Sequence, residues 1–401
     1  MIFKDVKNAN EIKSRIKSSK NKEEKPKDDE NAQILNIKRK RTKKHGNDKS
    51  INNGFEKENA KNILIDPINI NDYHDLTYDA HSYFSFDNTF CVFNSVDNIP
   101  CLIYSNKYSI ISFNLKDNTK INEIKGASND EYYITNLRHH SDIKNKRDLL
   151  ISITAWGNNF KLWNIINMEC LCYIKSVNSN GYLYSACFLN DDNEIYVLTS
   201  NYNKNFYIDD SEPVKIYNLD GLNISTLNNS YISTFFIDVY FDNNSKKNFV
   251  ITGNKNAVRS YDFKENKLYH QYSHKDCAQY DFHYCCTVNN LVKNVQLIET
   301  SSHGIIRLWN FHSGKLIKKI EINKNYKLFG ISLWDDNHVF VGSEDNSIKL
   351  VNLKNRAVIN NLDCHNNYVL TVKKILHPIY GQCLISQGYS NDQIKLITNI
   401  N

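Results

Sequence analysis

The stretch Ile306-Arg307-Leu308-Trp309-Asn310 reads apolar, basic, apolar, aromatic, polar. The same phrase returns at 160–164 and 214–218, as Phe-Lys-Leu-Trp-Asn and Val-Lys-Ile-Tyr-Asn, and in weaker form at four other places. Alternation of this kind is typical of a β-strand with one buried face. The chain therefore repeats one strand, and the fourth residue of each phrase serves as an anchor for aligning the copies.

The anchors recur at intervals of 42 to 54 residues. The mean interval is about 47, close to the length expected of a propeller blade. Short apolar runs and breaks rich in Asn, Asp and Gly surround each copy, so four strands can be counted per repeat. The seven anchors are Phe113, Trp163, Tyr217, Tyr261, Trp309, Val351 and Ile397.

This pattern resembles the WD40 repeat family over residues 72–401. The resemblance implies an all-β fold, a seven-bladed WD40-like β-propeller with four-stranded blades around a central channel, and an anchor near the end of each third strand. The literal Trp-Asp pair occurs only at Trp334-Asp335, out of register with the anchors.

In the WD40 family a His before the first strand, a strand hydroxyl, a turn Asp and the Trp form a hydrogen-bonded set. The candidate histidines here are His81, His140, His274 and His365. Only Asp345 is acidic at the turn position, six residues before an anchor. No blade shows the complete set, so we expect apolar packing between adjacent sheets to hold the blades.

The composition changes near residue 60. Residues 1–60 carry 17 Lys and Arg against 10 Asp and Glu, a net charge of 17 − 10 = +7, whereas the whole chain carries +6. Such a core-poor segment predicts a disordered basic tail, followed by a linker at 61–71 and the propeller at 72–401. We expect residues 72–78 to close the ring as the fourth strand of the last blade, because 76–81 align with 361–365.

The sequence excludes several functional classes. It lacks a secretory signal and any run of about 18 apolar residues, so we expect an intracellular protein that does not bind membranes. No nucleotide-binding, metalloprotease or hydrolase motif is present, so we expect neither an enzyme, nor a cofactor, nor a small-molecule substrate.

Two groups of cysteines could suggest a metal site or disulfides. His274, Cys277, His283, Cys285 and Cys286 lie close together but lack paired CxxC spacing, so we interpret them as strand and turn residues. We interpret Cys170 and Cys172, like most of the ten cysteines, as packing residues in a reducing compartment.

Two motifs bear on function. The basic run Lys38, Arg39, Lys40, Arg41, Lys43 and Lys44 fits a nuclear-localisation signal or a nucleic-acid patch, and also a Lys-rich tail without a receptor. Residues 339–354 are similar to the box by which WD40 substrate receptors dock onto cullin-RING ubiquitin ligases, but Val351 and Asn352 replace its Trp-Asp and Lys354 its commoner Arg.

The leading hypothesis is a non-catalytic protein-protein interaction scaffold in an intracellular assembly, with a nuclear location favoured. One alternative is an RNP or ribosome-assembly factor that contacts nucleic acid through the basic tail. The other is a substrate receptor of a cullin-RING ligase.

Neutralising the six cations of the basic run should abolish nuclear accumulation of a fluorescent reporter carrying residues 1–60, because a basic signal is read by its charge. Imaging the reporter with and without the substitutions measures this. If the unsubstituted reporter stays in the cytosol, the hypothesis of a nuclear location is contradicted.

Overall fold

A computed structural model describes the backbone of residues 67–69 and then residues 90–106, 108–127, 133–154, 159–175, 181–203, 212–230, 233–255, 257–275, 281–291, 294–389 and 394–398. The chain divides into Met1–Ala60 and Lys61–Asn401, and every described residue belongs to the second unit. The expected basic tail at 1–60, most of the expected linker and residues 72–78 therefore lie outside the described residues.

The described residues form 28 strands in seven antiparallel sheets of four. The fold is a seven-bladed β-propeller. Blade 1 consists of Phe90–Asn94 (β2), Pro100–Asn106 (β3), Ser109–Asn114 (β4) and Thr119–Ile124 (β5). Blade 2 consists of Ile134–Asp142 (β6), Arg147–Thr154 (β7), Asn159–Asn164 (β8) and Glu169–Lys175 (β9). Blade 3 consists of Gly181–Asp191 (β10), Glu194–Asn203 (β11), Lys215–Tyr217 (β12) and Asn223–Thr226 (β13).

The remaining blades repeat this order. Blade 4 consists of Thr234–Asp242 (β14), Lys247–Asn254 (β15), Val258–Asp262 (β16) and Lys267–Tyr272 (β17). Blade 5 consists of His283–Leu291 (β18), Asn294–Ser301 (β19), Ile305–Asn310 (β20) and Leu316–Glu321 (β21). Blade 6 consists of Leu328–Asp335 (β22), His338–Ser343 (β23), Ile348–Asn352 (β24) and Ala357–Leu362 (β25). Blade 7 consists of Val369–His377 (β26), Gly381–Gly388 (β27), Ile394–Ile397 (β28) and Pro67–Asn69 (β1).

Each anchor lies at or one residue before the end of a third strand and is buried, from Val351 at 0% exposure to Phe113 at 8%. The residue after the anchor explains the polar end of the sequence phrase. In blade 5 the Oδ1 of Asn310 accepts the backbone N–H of Ser313 at 2.7 Å, which closes the turn to the fourth strand. Asn or Asp side chains stabilise turns in this way. Equivalent side-chain caps are made by Asn114, Asn164, Asn218, Asp262 and Asn352.

Seven apolar clusters each join two neighbouring blades. Trp309, for example, packs with residues of blade 4, and Val351 packs with residues of blade 5. Every anchor lies in the cluster shared with the preceding blade. The seventh cluster joins Phe90 and Phe113 of blade 1 to Ile385 and Leu396 of blade 7, so the ring is closed through apolar contact.

The strand that completes blade 7 differs in position from the expected one. β1 pairs antiparallel with β28, with Pro67 opposite Ile397 and Asn69 opposite Lys395, so the closing strand lies at 67–69 and not at 72–78. We expected the strand at 72–78 because we aligned His81 with His365. The structure instead places Ile68 opposite Leu396 of β28, earlier in the chain. A proline is tolerated here because Pro67 begins an edge strand, where its missing N–H breaks no ladder bond.

His140, one of the candidate histidines, lies within the first strand of blade 2. One further sequence interpretation is wrong. Cys170 is exposed, so it is not a packing residue. The reason is an irregularity in the β8–β9 pairing, where Trp163 faces Cys170 and Leu162 faces Cys172, so that the simple alternation of strand faces fails.

Replacing Trp163 by Ala should lower the free energy of unfolding by about 3 to 5 kcal/mol, because a buried indole is removed from the contact between blades 1 and 2. The smaller change Ser152→Ala should cost about 1 kcal/mol, since it removes only the hydroxyl that accepts Trp163 Nε1 at 2.9 Å. Urea denaturation of both variants measures this. Equal and small losses would contradict the packing role of the indole.

Candidate interaction site

The first strands of blades 2 to 7 share an irregularity near their beginning. In blade 4, Thr234 pairs with Asn254 and Phe236 with Gly253, which leaves Phe235 as an extra residue. A bulge of this kind turns one side chain away from its regular face. The residues at the corresponding bulges are Thr135, Tyr184, Tyr284, Phe329 with Gly330, and Leu370.

The turned side chains meet in one cluster, which we name the mouth cluster. It contains buried Phe235, Tyr284, Phe329 and Leu370, with partly buried Tyr184, Phe282 and Tyr389. These residues come from five different blades, and the inner strands of five blades converge only around the central channel of a propeller. The mouth cluster therefore lies at the end of the channel where the first strands begin.

Edge-to-face contacts connect the rings of the mouth cluster. The Phe235 ring lies 5.9 Å from Tyr184, 5.3 Å from Phe282 and 5.6 Å from Tyr284, with interplanar angles of 75° to 88°. Such contacts are favoured by the aromatic quadrupole. Tyr368, which is 40% exposed, extends the cluster towards solvent by stacking on Phe329 and Tyr389.

Below the mouth, Arg138 links three blades across the channel. Its Nε donates to the carbonyl of Ala186 at 3.2 Å and its Nη2 to the carbonyl of Ile237 at 3.3 Å. Ala186 and Ile237 lie in the first strands of blades 3 and 4, whose channel edges have no neighbouring strand. The guanidinium therefore satisfies edge carbonyls that secondary structure leaves unpaired.

Blade 5 carries the densest group of charges, which we name the blade-5 charged set: Asp281, His283, Glu299, His303 and Arg307. Arg307 is 1% exposed and donates to Asp281 Oδ2 at 2.6 Å and to Glu299 Oε1 at 3.3 Å. His303 Nδ1 lies 2.9 Å from Asp281 Oδ1, and His283 Nδ1 lies 2.5 Å from Glu299 Oε2. Both oxygens of both carboxylates thus contact a donor, so neither carboxylate is free to bind or activate a substrate.

The set resembles the hydrogen-bonded set that the WD40 resemblance led us to expect, with two positions exchanged. Asp281 precedes the first strand, where the family has His, and His303 occupies the turn, where the family has Asp. Glu299 stands in the place of the strand hydroxyl and accepts Trp309 Nε1 at 3.4 Å. In blade 7, His365 Nε2 lies 2.8 Å from Ser386 Oγ in a buried pair.

The electrostatics of the set favour ionised Asp281. Burial opposes its ionisation, but the charges of His283 and Arg307 and the hydrogen bonds from His303 and Arg307 outweigh burial, so the pKa of Asp281 is lowered. Beside the set, a cavity of about 190 Å³ opens between Asp281, Arg307 and three charged residues of the blade rim, Lys319, Glu321 and Lys324. Glu321 pairs with both lysines, so all three rim charges are engaged in ion pairs with one another.

The residues singled out in the sequence are spread over the fold. The seven anchors lie one per blade and do not converge on a site. Of the metal-like cluster, His283 belongs to the blade-5 charged set, Cys277 lies outside the described residues, and no group of metal ligands forms among the residues that the structure describes. The basic run at 38–44 lies outside them as well. Within the described ranges, no helix has the length and hydrophobicity that a membrane span requires.

Sequence reasoning missed the mouth cluster and Arg138. A signal for the mouth was present, since Tyr184, Phe235, Tyr284 and Phe329 each stand near the start of a first strand. This signal does not align with the repeat, because the spacing between the aromatic residue and the anchor varies. Tyr184 precedes Tyr217 by 33 residues, whereas Phe329 precedes Val351 by only 22. Arg138 carries no repeat signal at all.

A scan against models of protein families gives no match for the chain, and a search of curated proteins gives no significant match. The fold is therefore established by the seven sheets and their register, and the function has to be argued from the surface.

Replacing Arg307 by Met should lower the free energy of unfolding by about 3 to 5 kcal/mol, because Asp281 and Glu299 would lose a buried cation. The control Arg147→Met removes a cation that is 27% exposed and should cost about 1 kcal/mol, because its buried partner Asp142 keeps the hydrogen bonds from Asn145. In the unsubstituted protein, the free energy of unfolding should fall as the pH drops below the ordinary pKa range of a carboxyl group. The pKa of Asp281 is lowered in the folded state, so its contribution to stability is lost when the carboxylate becomes protonated. Urea unfolding across pH 3 to 7 tests both points, and equal losses for the two variants would contradict the role of the set.

Proposed function

We propose that the protein is a non-catalytic platform that binds other proteins through the face of the propeller around the mouth cluster. The observation that carries this proposal is the convergence of Tyr and Phe rings from five blades at one end of the channel. The propeller fold is commonly non-catalytic and typical of interaction scaffolds, but a fold alone does not establish a function. The argument therefore rests on the chemistry of this surface.

Tyrosine and phenylalanine are enriched where proteins dock, because they bury large areas with few rotatable bonds and Tyr adds a hydrogen-bonding tip. The mouth cluster offers an apolar centre, and Tyr326 and Tyr368, each 40% exposed, lie just before the first strands of blades 6 and 7 that contribute to it. This arrangement, with buried aromatic anchors inside a more polar rim, is that of a protein-binding hot spot.

The blade-5 charged set supports the same conclusion by a different route. Its buried carboxylates are held by His283 and Arg307 within blade 5, so we infer that they stabilise the blade rather than bind a substrate. A rigid ring suits a binding platform, because little conformational entropy of the scaffold is lost when a partner binds.

The two alternatives gain no support from the described residues. Residues 339–354 form the second and third strands of blade 6, and Val339, Val341 and Val351 pack against blade 5, so blade packing explains the resemblance to the ligase box. The ribonucleoprotein role depends on the basic tail, outside the described residues. A nuclear place of action remains part of our proposal and is supported by the basic run.

Photo-crosslinking in cells tests the proposed face. A benzoyl-phenylalanine placed at Tyr326 or Tyr368 should crosslink one and the same protein partner, because both positions lead into first strands that begin at the mouth cluster. Tyr173, which is 46% exposed on the outer strand of blade 2, is the matched control and should not capture it. The change Tyr368→Ala should weaken binding of that partner by about tenfold, as for a hot-spot tyrosine. Capture from Tyr173 alone would place the binding surface elsewhere.

A further inference from the structure

The opposite end of the propeller carries exposed aliphatic side chains at the ends of first strands and on the turns that join them to second strands. Ile143 is 81% exposed and Leu376 is 78% exposed, which are the two highest values among the large hydrophobic side chains of the described residues. Ile379 at 59%, Tyr380 at 46% and Ile99 at 39% lie on the same kind of turn. We name these five residues the turn surface.

The turn surface belongs to three consecutive blades. Leu376, Ile379 and Tyr380 come from blade 7, Ile99 from blade 1 and Ile143 from blade 2. Apolar clusters pack blade 7 against blade 1 and blade 1 against blade 2. Leu370 of the mouth cluster and Leu376 lie on the same first strand, six residues and about 20 Å apart. The turn surface is therefore contributed by three adjacent blades and lies on the face away from the mouth.

The local structure holds these side chains outward. His377 Nδ1 accepts the backbone N–H groups of Ile379 and Tyr380 at 3.2 and 3.3 Å, and its ring packs on Tyr380. In blade 2, Asp142 accepts bonds from Asn145 and Arg147, which fixes the turn that presents Ile143. Ordered turns that expose Ile and Leu gain nothing for folding, because the apolar groups stay in water.

The charge beside the turn surface is mainly positive. Lys144 and Lys146 follow Ile143 on the same turn, are exposed and form no ion pair or side-chain hydrogen bond with any residue that the structure describes. On the same turns, Asp97 is the exposed carboxylate, whereas Asp142 is buried and paired with Arg147. Two free cations thus stand against one exposed anion.

We infer that the turn surface is a contact site for an anionic lipid membrane. The inference goes beyond the proposed protein platform and uses the opposite face. Aliphatic side chains at the tips of turns, an interfacial Tyr and free lysines are the combination that inserts shallowly at the headgroup boundary and is attracted to acidic lipids. Protein-binding hot spots instead favour Trp, Tyr and Arg over Leu, and lysine is depleted from protein interfaces. This departs from the expectation of no membrane partner, which rested on the lack of a membrane-spanning segment alone.

Co-sedimentation of the full chain with vesicles tests the inference. Vesicles of phosphatidylcholine with one-third phosphatidylserine should bind the protein, and pure phosphatidylcholine vesicles should bind it much less. Because the N-terminal residues are also basic, the decisive comparison is between variants that keep them intact. The pair Leu376→Ser and Ile379→Ser should reduce binding by about tenfold, since two inserted side chains are lost. The control pair Ile224→Ser and Ile359→Ser, exposed to 50% and 53% on outer strands, should leave binding unchanged.

A second readout separates insertion from electrostatic attraction. A Trp introduced by Tyr380→Trp should be quenched by brominated lipids, whereas one introduced by Ile359→Trp should not. Thermal unfolding of each variant verifies that the fold is retained. The inference is overturned if wild-type protein does not bind the acidic vesicles, if both Ser pairs bind equally, or if the Trp at 380 escapes quenching. Concentration-dependent dimerisation that Leu376→Ser abolishes, without vesicle binding, would assign the face to a second copy of the chain.

Discussion

Apolar contact between adjacent blades is the interaction on which the rest of this structure depends. Every sheet has two faces and both are buried, each in a cluster shared with a neighbour, and blade 7 meets blade 1 as the others meet each other. The hydrophobic contribution to stability is roughly proportional to the apolar area that is buried, whichever apolar side chain supplies it. Repeats with only weak sequence similarity can therefore fold together in this arrangement. Val351 and Ile397 can then replace an aromatic ring without interrupting the ring of blades.

Close contact between blades also constrains individual residues. A Cβ at Gly342 would lie 2.3 Å from the carbonyl oxygen of Val369, so only glycine lets the first strand of blade 7 approach blade 6 this closely. Within blade 5, buried Arg307 is paired with buried Asp281 and Glu299, so that these three charges compensate one another's burial. Removing one member of such a buried set leaves an uncompensated buried charge, which lowers stability strongly. The pair of Arg147 and Asp142 differs, because its Arg147 side chain is partly exposed to water.

The architecture could be predicted from the sequence because its signal is local. The five-residue phrase combines a strand, an anchor and the Asn or Asp that caps the following turn, so seven copies specify seven third strands. The closing strand was misplaced because β1 has only three residues and its pairing with β28 joins the two ends of the propeller, a contact for which the repeat has no alignment signal. The mouth cluster was missed for a related reason, since bulges and loops of unequal length separate its residues from the anchors. The exposure of Leu376 and Ile143 depends on the direction of a side chain at a turn, which a strand pattern does not report.

The shortness of β1 has a mechanical consequence. Its three pairs with β28 are fewer than the five residue pairs that join β16 to β17 in blade 4. The chain N-terminal to Pro67 is covalently attached to this strand, so a load applied to that part of the chain acts first on the three-pair ladder of blade 7. Tension would unzip the closing strand while the apolar cluster between blades 7 and 1 still holds the ring. Under such a load, β1 can separate from β28 and pair with it again while the other blades keep their strand register.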